Sequence, residues 1–95
     1  MEFSRELRED VLSGRITVSF RLWRNPQVVA GREYRVGMGA IEVDSIELVP
    51  FSSIDADDLQ RSGEADLDSL RRRAAHAGPI DDDTLVYRVE FHPVA

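Results

Sequence analysis

The chain has 95 residues and a mass of 10.7 kDa, which predicts a single domain over residues 1–95. Its 42% hydrophobic and 32% charged residues are typical of a globular protein and exclude a disordered or fibrous one. No apolar run approaches the roughly 20 residues of a membrane span. Acidic residues occupy the first positions, where a signal peptide is basic. We therefore expect a cytoplasmic protein without a membrane partner.

Two residue types are missing altogether. The chain has no cysteine, which excludes disulfides, thiol nucleophiles and cysteine-based metal sites. It also has no lysine, and its twelve arginines do not replace lysine as a general base because the guanidinium does not release its proton. The two histidines, His76 and His92, lack the spacing of a helical metal pair. We therefore expect neither a metal site nor a cofactor.

The net charge of −6 is unevenly distributed. Residues 1–40 carry seven arginines and five acids, whereas residues 41–95 carry five arginines and thirteen acids. Proteins that bind long nucleic acids without sequence preference are usually basic overall, because phosphate neutralisation supplies most of their affinity. This distribution instead suits a small basic site on an acidic body, able to hold one nucleotide or a short single strand.

The predicted elements begin with a helix over residues 5–13, with Ser4 as its N-cap and Gly14 after its end. Strict alternation of apolar and polar residues then predicts a half-buried strand over residues 16–23. One face of this strand should pack in the core and consists of Ile16, Val18, Phe20 and Leu22. The other face consists of Thr17, Ser19, Arg21 and Trp23.

The rest of the chain predicts two strands over residues 34–36 and 40–48, with a bulge where the second changes face. Helices over residues 53–62 and 66–77 follow, and a last strand over residues 85–92 should have Leu85, Tyr87, Val89 and Phe91 on one face. The charged runs at residues 71–73 and 81–83 are interpreted as solvated. The order helix, three strands, two helices, strand predicts an α+β fold with a small, largely antiparallel sheet.

The junction between the first helix and the first strand resembles the opening of ASCH domains, a branch of the PUA-like superfamily. The motif of that family is Gly-x-Lys followed after four residues by Arg, and Gly14 and Arg21 match it. The segments 31–37, 41–43 and 86–91 also fit, so the resemblance spans nearly the whole chain. It implies a PUA-like β-barrel with flanking helices and a cleft beside the motif.

The resemblance further implies binding of RNA or of a nucleotide, the role proposed for most family members. A small bacterial group of similar length hydrolyses the acetyl amide of acetylated cytidine. Its lysine activates a threonine and a downstream glutamate acts as the acid. These three positions correspond to Ile16, Ser19 and, within one residue, Glu64. Because isoleucine cannot take a proton from a serine hydroxyl, we expect binding without catalysis.

Three functions therefore remain open. The first is a module that binds RNA, a nucleotide or a modified nucleoside through candidate residues on and around the first strand: Arg15, Thr17, Ser19, Arg21, Trp23, Arg24, Glu64 and Tyr87. Arginine suits a phosphate, and an aromatic ring suits a base. The second is an amidohydrolase that acts on an acylated nucleoside through Ser19 and Glu64. The third is an adaptor that binds a protein through its acidic second half.

Overall fold

The computed structural model describes residues 1–75 and 78–94. Its elements follow the predicted order of helix, three strands, two helices and strand. They are α1 (Arg5–Leu12), β1 (Val18–Arg21), β2 (Glu33–Val36), β3 (Gly39–Pro50), α2 (Ala56–Arg61), α3 (Leu67–Ala74) and β4 (Leu85–Val94), with one 3-10 turn, Phe51–Ser53, before α2. No helix in these two ranges is long and apolar enough to cross a membrane.

The four strands form one antiparallel sheet in the order β1-β4-β3-β2. β1 and β2 are its two edges and do not pair, so the sheet is open and the expected closed barrel is wrong. Both edge strands have only four residues. The segment between them, residues 22–32, contains Pro26, which lacks a backbone donor. It crosses to the far edge, where the backbone of Gly31 and Arg32 hydrogen-bonds with Val43 of β3.

β3 contains the predicted bulge. Val43 lies opposite Phe91 and Ser45 lies opposite Glu90, so Asp44 has no Cα partner on β4. The extra residue shifts the alternation of β3 by one position, so that residues an odd number apart across the bulge lie on the same face of the sheet. Val43 and Ile46, three positions apart, consequently pack in the same apolar cluster.

Each face of the sheet carries an apolar cluster. The cluster beneath α1 and the N-terminal segment has as its buried members Phe3, Val11, Ile16, Val28, Val36, Ile41, Val43, Val89 and Phe91. The cluster beneath α2 and α3 has as its buried members Val18, Phe20, Phe51, Ile54, Leu70, Ala74, Ile80 and Val86. The domain is thus a central sheet between two helical layers, and β4, an inner strand, contributes to both clusters.

The burial of β4 departs from the prediction at its first residues. Val89 and Phe91 are buried as expected, but Leu85 is 52% exposed, and Val86, on the opposite face, is fully buried. The four residues predicted to share a face do so by alternation along β4. A strand with helices on both faces also buries apolar residues of the other alternating set, so Val86 belongs to the core as well.

Side-chain caps stabilise the N-termini of α2 and α3. The side chain of Asp55 accepts a hydrogen bond from the backbone N–H of Asp58, and Asp66 accepts one from Ser69, each at 2.8 Å. The hydrogen bonds from Ser69 lower the pKa of Asp66. Ser4 occupies the predicted N-cap of α1, but its hydroxyl makes no capping hydrogen bond.

Candidate functional site

A cleft of about 830 Å³ opens beside β1. β1 and the residues after it form its floor, the N-terminal segment and α1 form one wall, and residues 62–64 with α3 form the other. Among the side chains that line it are Ser19, Arg21, Trp23, Arg24, Glu64 and Arg73. A volume of several hundred cubic ångströms is typical of sites for small molecules.

Arg21 is the cation on the cleft floor. Its Nε donates a hydrogen bond to the hydroxyl of Ser19 at 2.8 Å, and its Nη2 donates one to the backbone carbonyl of Glu2 at 2.6 Å. Its guanidinium carbon lies 4.9 Å from the ring centre of Phe3 and 5.9 Å from that of Trp23. Alternation along β1 puts Ser19 and Arg21 on the same face, so the strand itself brings the two side chains together.

The partners of Arg21 are all neutral. Across residues 1–75 and 78–94, no carboxylate lies within ion-pair distance of its guanidinium. Burial lowers the pKa of Arg21, and the more distant carboxylate of Glu2 offsets this only in part. The cleft floor therefore carries a largely desolvated positive charge without an ion-pair partner among the described residues.

Trp23 and Arg24 follow Arg21 along the same edge of the cleft. The indole is half-buried and lies 6.0 Å from the ring of Tyr87, at an angle of 39°. Tyr87 does not line the cleft itself but packs against Trp23 from β4. Arg24 is exposed and makes no hydrogen bond or ion pair with the described part of the chain. The edge thus combines an aromatic ring with a solvent-accessible cation.

Glu64 and Arg73 form an ion pair in the opposite wall. The side chain of Glu64 is only 6% exposed, whereas that of Arg73 is 45% exposed. Arg73 also lies 3.5 Å from the hydroxyl of Ser4 and 3.8 Å from a carboxylate oxygen of Glu6. It therefore links α3 to the N-terminal segment. The carboxylate of Glu64 accepts a hydrogen bond from Nε of Arg73.

The wall that carries Glu64 packs closely on Ile16. Gly63 has a φ of +77°, and a Cβ added there would lie 2.7 Å from Cδ1 of Ile16. Ile16 is buried, so an apolar side chain fills the position that corresponds to the lysine of the hydrolase group. The turn brings Glu64 to the cleft while the residue equivalent to that lysine offers no polar atom.

Three of the predicted site residues lie outside the cleft, namely Tyr87, Arg15 and Thr17. Arg15 is exposed and pairs with Asp10 at 3.1 Å. The hydroxyl of Thr17 accepts a hydrogen bond from Nε of Arg61 at 3.0 Å, and its backbone N–H donates to the carbonyl of Arg61 at 2.9 Å. Thr17 therefore connects β1 to the end of α2.

The other candidate groups of the sequence are dispersed. His92 lies on the opposite face of the sheet from Ser19, and its Nδ1 is 2.8 Å from Oδ1 of Asp44. The other histidine, His76, lies outside the described residues. Within the arginine run, Arg71 is not simply solvated as interpreted from the sequence, because it pairs with Asp82 and lies 4.8 Å from the ring centre of Phe51.

Sequence reasoning missed the wall formed by the N-terminal segment and by Arg73. The hydrogen bond between Arg21 and Glu2 spans 19 positions, and the contact between Arg73 and Ser4 spans 69. No local pattern in the sequence encodes contacts of that separation. The charged run at residues 71–73 was the available signal for Arg73, but it did not distinguish that residue from its neighbours.

Comparison with known proteins identifies the fold. No protein-family model matches the sequence, and no curated protein gives a significant match. Among solved structures, an ASCH domain from Lactobacillus crispatus aligns with a TM-score of 0.73 at 15% identity, over 93% of this chain and 70% of its own. An ASCH protein from Zymomonas mobilis aligns with a TM-score of 0.72 at 12% identity, over 100% of this chain and 70% of its own.

A third structure, the hypothetical protein PH0355, aligns with a TM-score of 0.74 at 16% identity, over 99% of this chain and 96% of its own. The chain therefore has the ASCH-domain fold, with an α+β architecture, and the resemblance read from the sequence is confirmed at the level of the fold. The cleft beside β1 is defined by the side chains of this chain alone.

Proposed function

We propose that the cleft binds a nucleotide, a modified nucleoside or a short single strand of RNA. The observation that carries this proposal is Arg21, a desolvated cation on the cleft floor whose partners are a hydroxyl, a carbonyl and two aromatic rings. An arginine held by neutral groups retains its charge for an anionic ligand, and its planar fork matches phosphate geometry.

The neighbouring groups suit the rest of such a ligand. The ring of Trp23 offers a surface on which a base can stack, a contact worth about 1–3 kcal/mol in complexes with single-stranded nucleic acids. Arg24 adds a second, exposed cation at the same edge. The acidic body favours a small ligand over a long duplex, because the net charge of −6 repels an extended phosphate backbone.

Tryptophan fluorescence tests this proposal, because Trp23 is the only tryptophan in the chain. Cytidine, acetylated cytidine, nucleoside monophosphates and a short single-stranded RNA are titrated separately. We expect saturable quenching by at least one of them, with an affinity that falls as salt is added if phosphates are bound. Arg21→Met should abolish the change. Arg32→Met, at an exposed arginine outside the cleft, is the matched control and should bind as the unaltered chain does.

Hydrolysis of an acylated nucleoside is the second candidate, because Ser19 and Glu64 line the same cleft. The guanidinium of Arg21, at 2.8 Å from the Ser19 hydroxyl, would stabilise a serine oxyanion, but Ile16 supplies no base to form one. Chromatography of each titration mixture distinguishes the two functions. Recovery of intact acetylated cytidine supports binding alone. If cytidine is released, and Ser19→Ala removes this release, the cleft hydrolyses the acylated nucleoside. If neither the fluorescence nor the chromatography shows a change, a protein partner becomes the favoured ligand.

A further inference from the structure

The face of the sheet opposite Ser19 and Arg21 carries a cluster of acids around one imidazole. Glu33, Glu42 and His92 form a cross-strand row, since Glu33 on β2 lies opposite Glu42 on β3, and Glu42 lies opposite His92 on β4. Asp44, the unpaired residue of the β3 bulge, lies beside this row. Its Oδ1 is 2.8 Å from Nδ1 of His92.

The bulge explains why a second carboxylate of β3 reaches His92. In a regular ladder, the residue two positions after Glu42 would stand opposite Glu90. The register shift instead pairs Glu90 with Ser45 and leaves Asp44 without a cross-strand neighbour. Bulges commonly redirect a side chain in this way. One ligand atom from each of Glu42, Asp44 and His92 lies within 4.8 Å of the others.

The negative charge of this cluster has no arginine to balance it. Like charges directly opposite on neighbouring strands destabilise a sheet, and Glu33 and Glu42 are such a pair. Within residues 1–75 and 78–94, no arginine forms an ion pair with Glu33, Glu42 or Asp44. Among the described residues, the imidazole of His92 is the one cation that pairs with Asp44 when it is protonated.

We propose that Glu42, Asp44 and His92 bind a divalent transition-metal ion, with Zn²⁺ as the ion that this donor set suits best. One imidazole nitrogen and two carboxylates are a set of three protein ligands that leaves a position for water, as in open zinc sites. The imidazole favours zinc over magnesium and calcium, which prefer all-oxygen sites.

Little movement of His92 and Asp44 is needed for the two to share an ion. The ion would replace the proton between Nδ1 of His92 and Oδ1 of Asp44, and the two atoms would separate by only about 0.5 Å to reach zinc–ligand distances. Both side chains are more than two-fifths exposed, so their rotation meets no packed core. An ion held there would also join β3 to β4 at the bulge.

A second acidic cluster has carboxylates equally close together but lacks an imidazole. The carboxylates of Asp55, Asp57 and Asp58 also lie within 4.8 Å of one another, but Asp55 caps α2 and Asp58 pairs with Arg88. That cluster contains no imidazole and has an arginine partner already. It therefore serves as the internal control for binding by acidic residues in general.

Isothermal titration of Zn²⁺ into the tag-free chain tests the proposal. We expect one equivalent to bind saturably and Mg²⁺ at the same concentration not to bind. His92→Ala should weaken Zn²⁺ binding roughly tenfold or more, and Glu42→Gln should weaken it as well. His76→Ala removes the other histidine, and Asp57→Asn alters the second acidic cluster. Both controls should leave the affinity unchanged.

Amide NMR shifts locate the bound ion independently of any variant. In the unaltered chain, Zn²⁺ should shift the signals of residues 42–45 and 90–93 and leave the indole signal of Trp23 in place. These shifts also decide the question if His92→Ala fails to fold. The proposal is overturned if His92→Ala binds Zn²⁺ as tightly as the unaltered chain, if the shifts fall elsewhere, or if the dissociation constant is weaker than about 1 mM.

Discussion

Two arginines of the sheet, Arg21 and Arg88, meet opposite environments on its two faces. Arg88 and its partner Asp58 each have side chains only 14% exposed, and they pair at 3.0 Å. Arg88 also contacts Glu90 at 3.0 Å and Glu47 at 3.4 Å. Hydrogen bonding to Asp58 raises the pKa of Arg88. Arg21, on the other face, has no carboxylate partner in the described chain, and burial lowers its pKa.

The difference separates an arginine that holds the fold from one that is available to a ligand. Arg88 and its acids connect β4 to α2, because Asp58 lies on that helix. Their charges are mutually neutralised, so removing one member leaves the others uncompensated. Arg21 forms no ion pair with the described residues and feels only the more distant charge of Glu2, so the fold gains little from its charge. A charge that contributes little to folding and lies on a cleft floor is a functional candidate.

Loss of Arg88 should produce the largest change in stability. Arg88→Met leaves the largely buried carboxylate of Asp58 without a cation, which we expect to cost about 3 kcal/mol in the free energy of unfolding. Urea denaturation measures this difference. Ligand quenching of Trp23 should remain, since Arg88 does not line the cleft. A stability within experimental error of the unaltered chain would mean that the acids around Arg88 are already well solvated.

Gly63 lies between α2, which carries the Asp58 partner of Arg88, and Glu64, which lines the cleft with Arg21. Gly63→Ala places a Cβ against buried Ile16 and strains a positive φ, for an expected cost of about 1–2 kcal/mol. Gly31 has a similar φ of +87° and no atom within 4 Å of an added Cβ. Gly31→Ala therefore measures the backbone strain alone.

Thermal or urea denaturation of the two alanine variants isolates the contact with Ile16. Gly63→Ala should be the less stable and should also weaken ligand binding, because the turn that carries Glu64 must shift. Equal losses in the two variants would show that Ile16 yields without cost, and that the wall of the cleft is not fixed by this contact.

The acids of the Arg88 network predict a pH dependence. Hydrogen bonds from Arg61, at 2.5 Å, and from Arg88 lower the pKa of Glu90 below its ordinary value of 4.5. Because the folded-state pKa is the lower one, the contribution of Glu90 to stability is present above pH 4.5 and is lost as the pH falls through the folded-state value. We expect this contribution to be below about 1 kcal/mol, since Glu90 is partly exposed.

Denaturation of Glu90→Gln beside the unaltered chain checks the sign. The gap in stability between them should be constant from pH 6 to pH 8 and should close below pH 4.5. A gap that widens on acidification would contradict the assignment. Asp68→Asn, at an exposed residue in the first turn of α3, is a suitable control outside the network.

The sequence was sufficient to predict what depends on local pattern. Alternation along residues 16–23 predicted that Ser19, Arg21 and Trp23 share a face, and the change of phase in β3 predicted its bulge. The order of elements was also correct. These features follow from the spacing of apolar residues over a few positions, which the chain displays directly.

Contacts between distant segments were not predictable in the same way. Arg21 and Arg88 each alternate with apolar residues in a strand, so nothing local distinguishes the arginine with three acids from the one with none. The open sheet likewise depends on which strands meet at the edges, and the exposure of Leu85 depends on where the helices end. Such properties are set by packing between segments far apart in the chain.

Arg21→Met should change stability least of all, and this small effect is the sharpest test of the comparison with Arg88. Replacing a buried charge that lacks a carboxylate partner by an apolar side chain of similar length is expected to be neutral, within about 1 kcal/mol, or stabilising. The methionine can keep the contacts with Phe3 and Trp23, and the carbonyl of Glu2 is exposed to water. Urea denaturation together with Trp23 titration should therefore show an intact fold that no longer binds the ligand. If Arg21→Met instead loses as much stability as Arg88→Met, then Arg21 is a structural residue, and the proposed function loses the observation on which it rests.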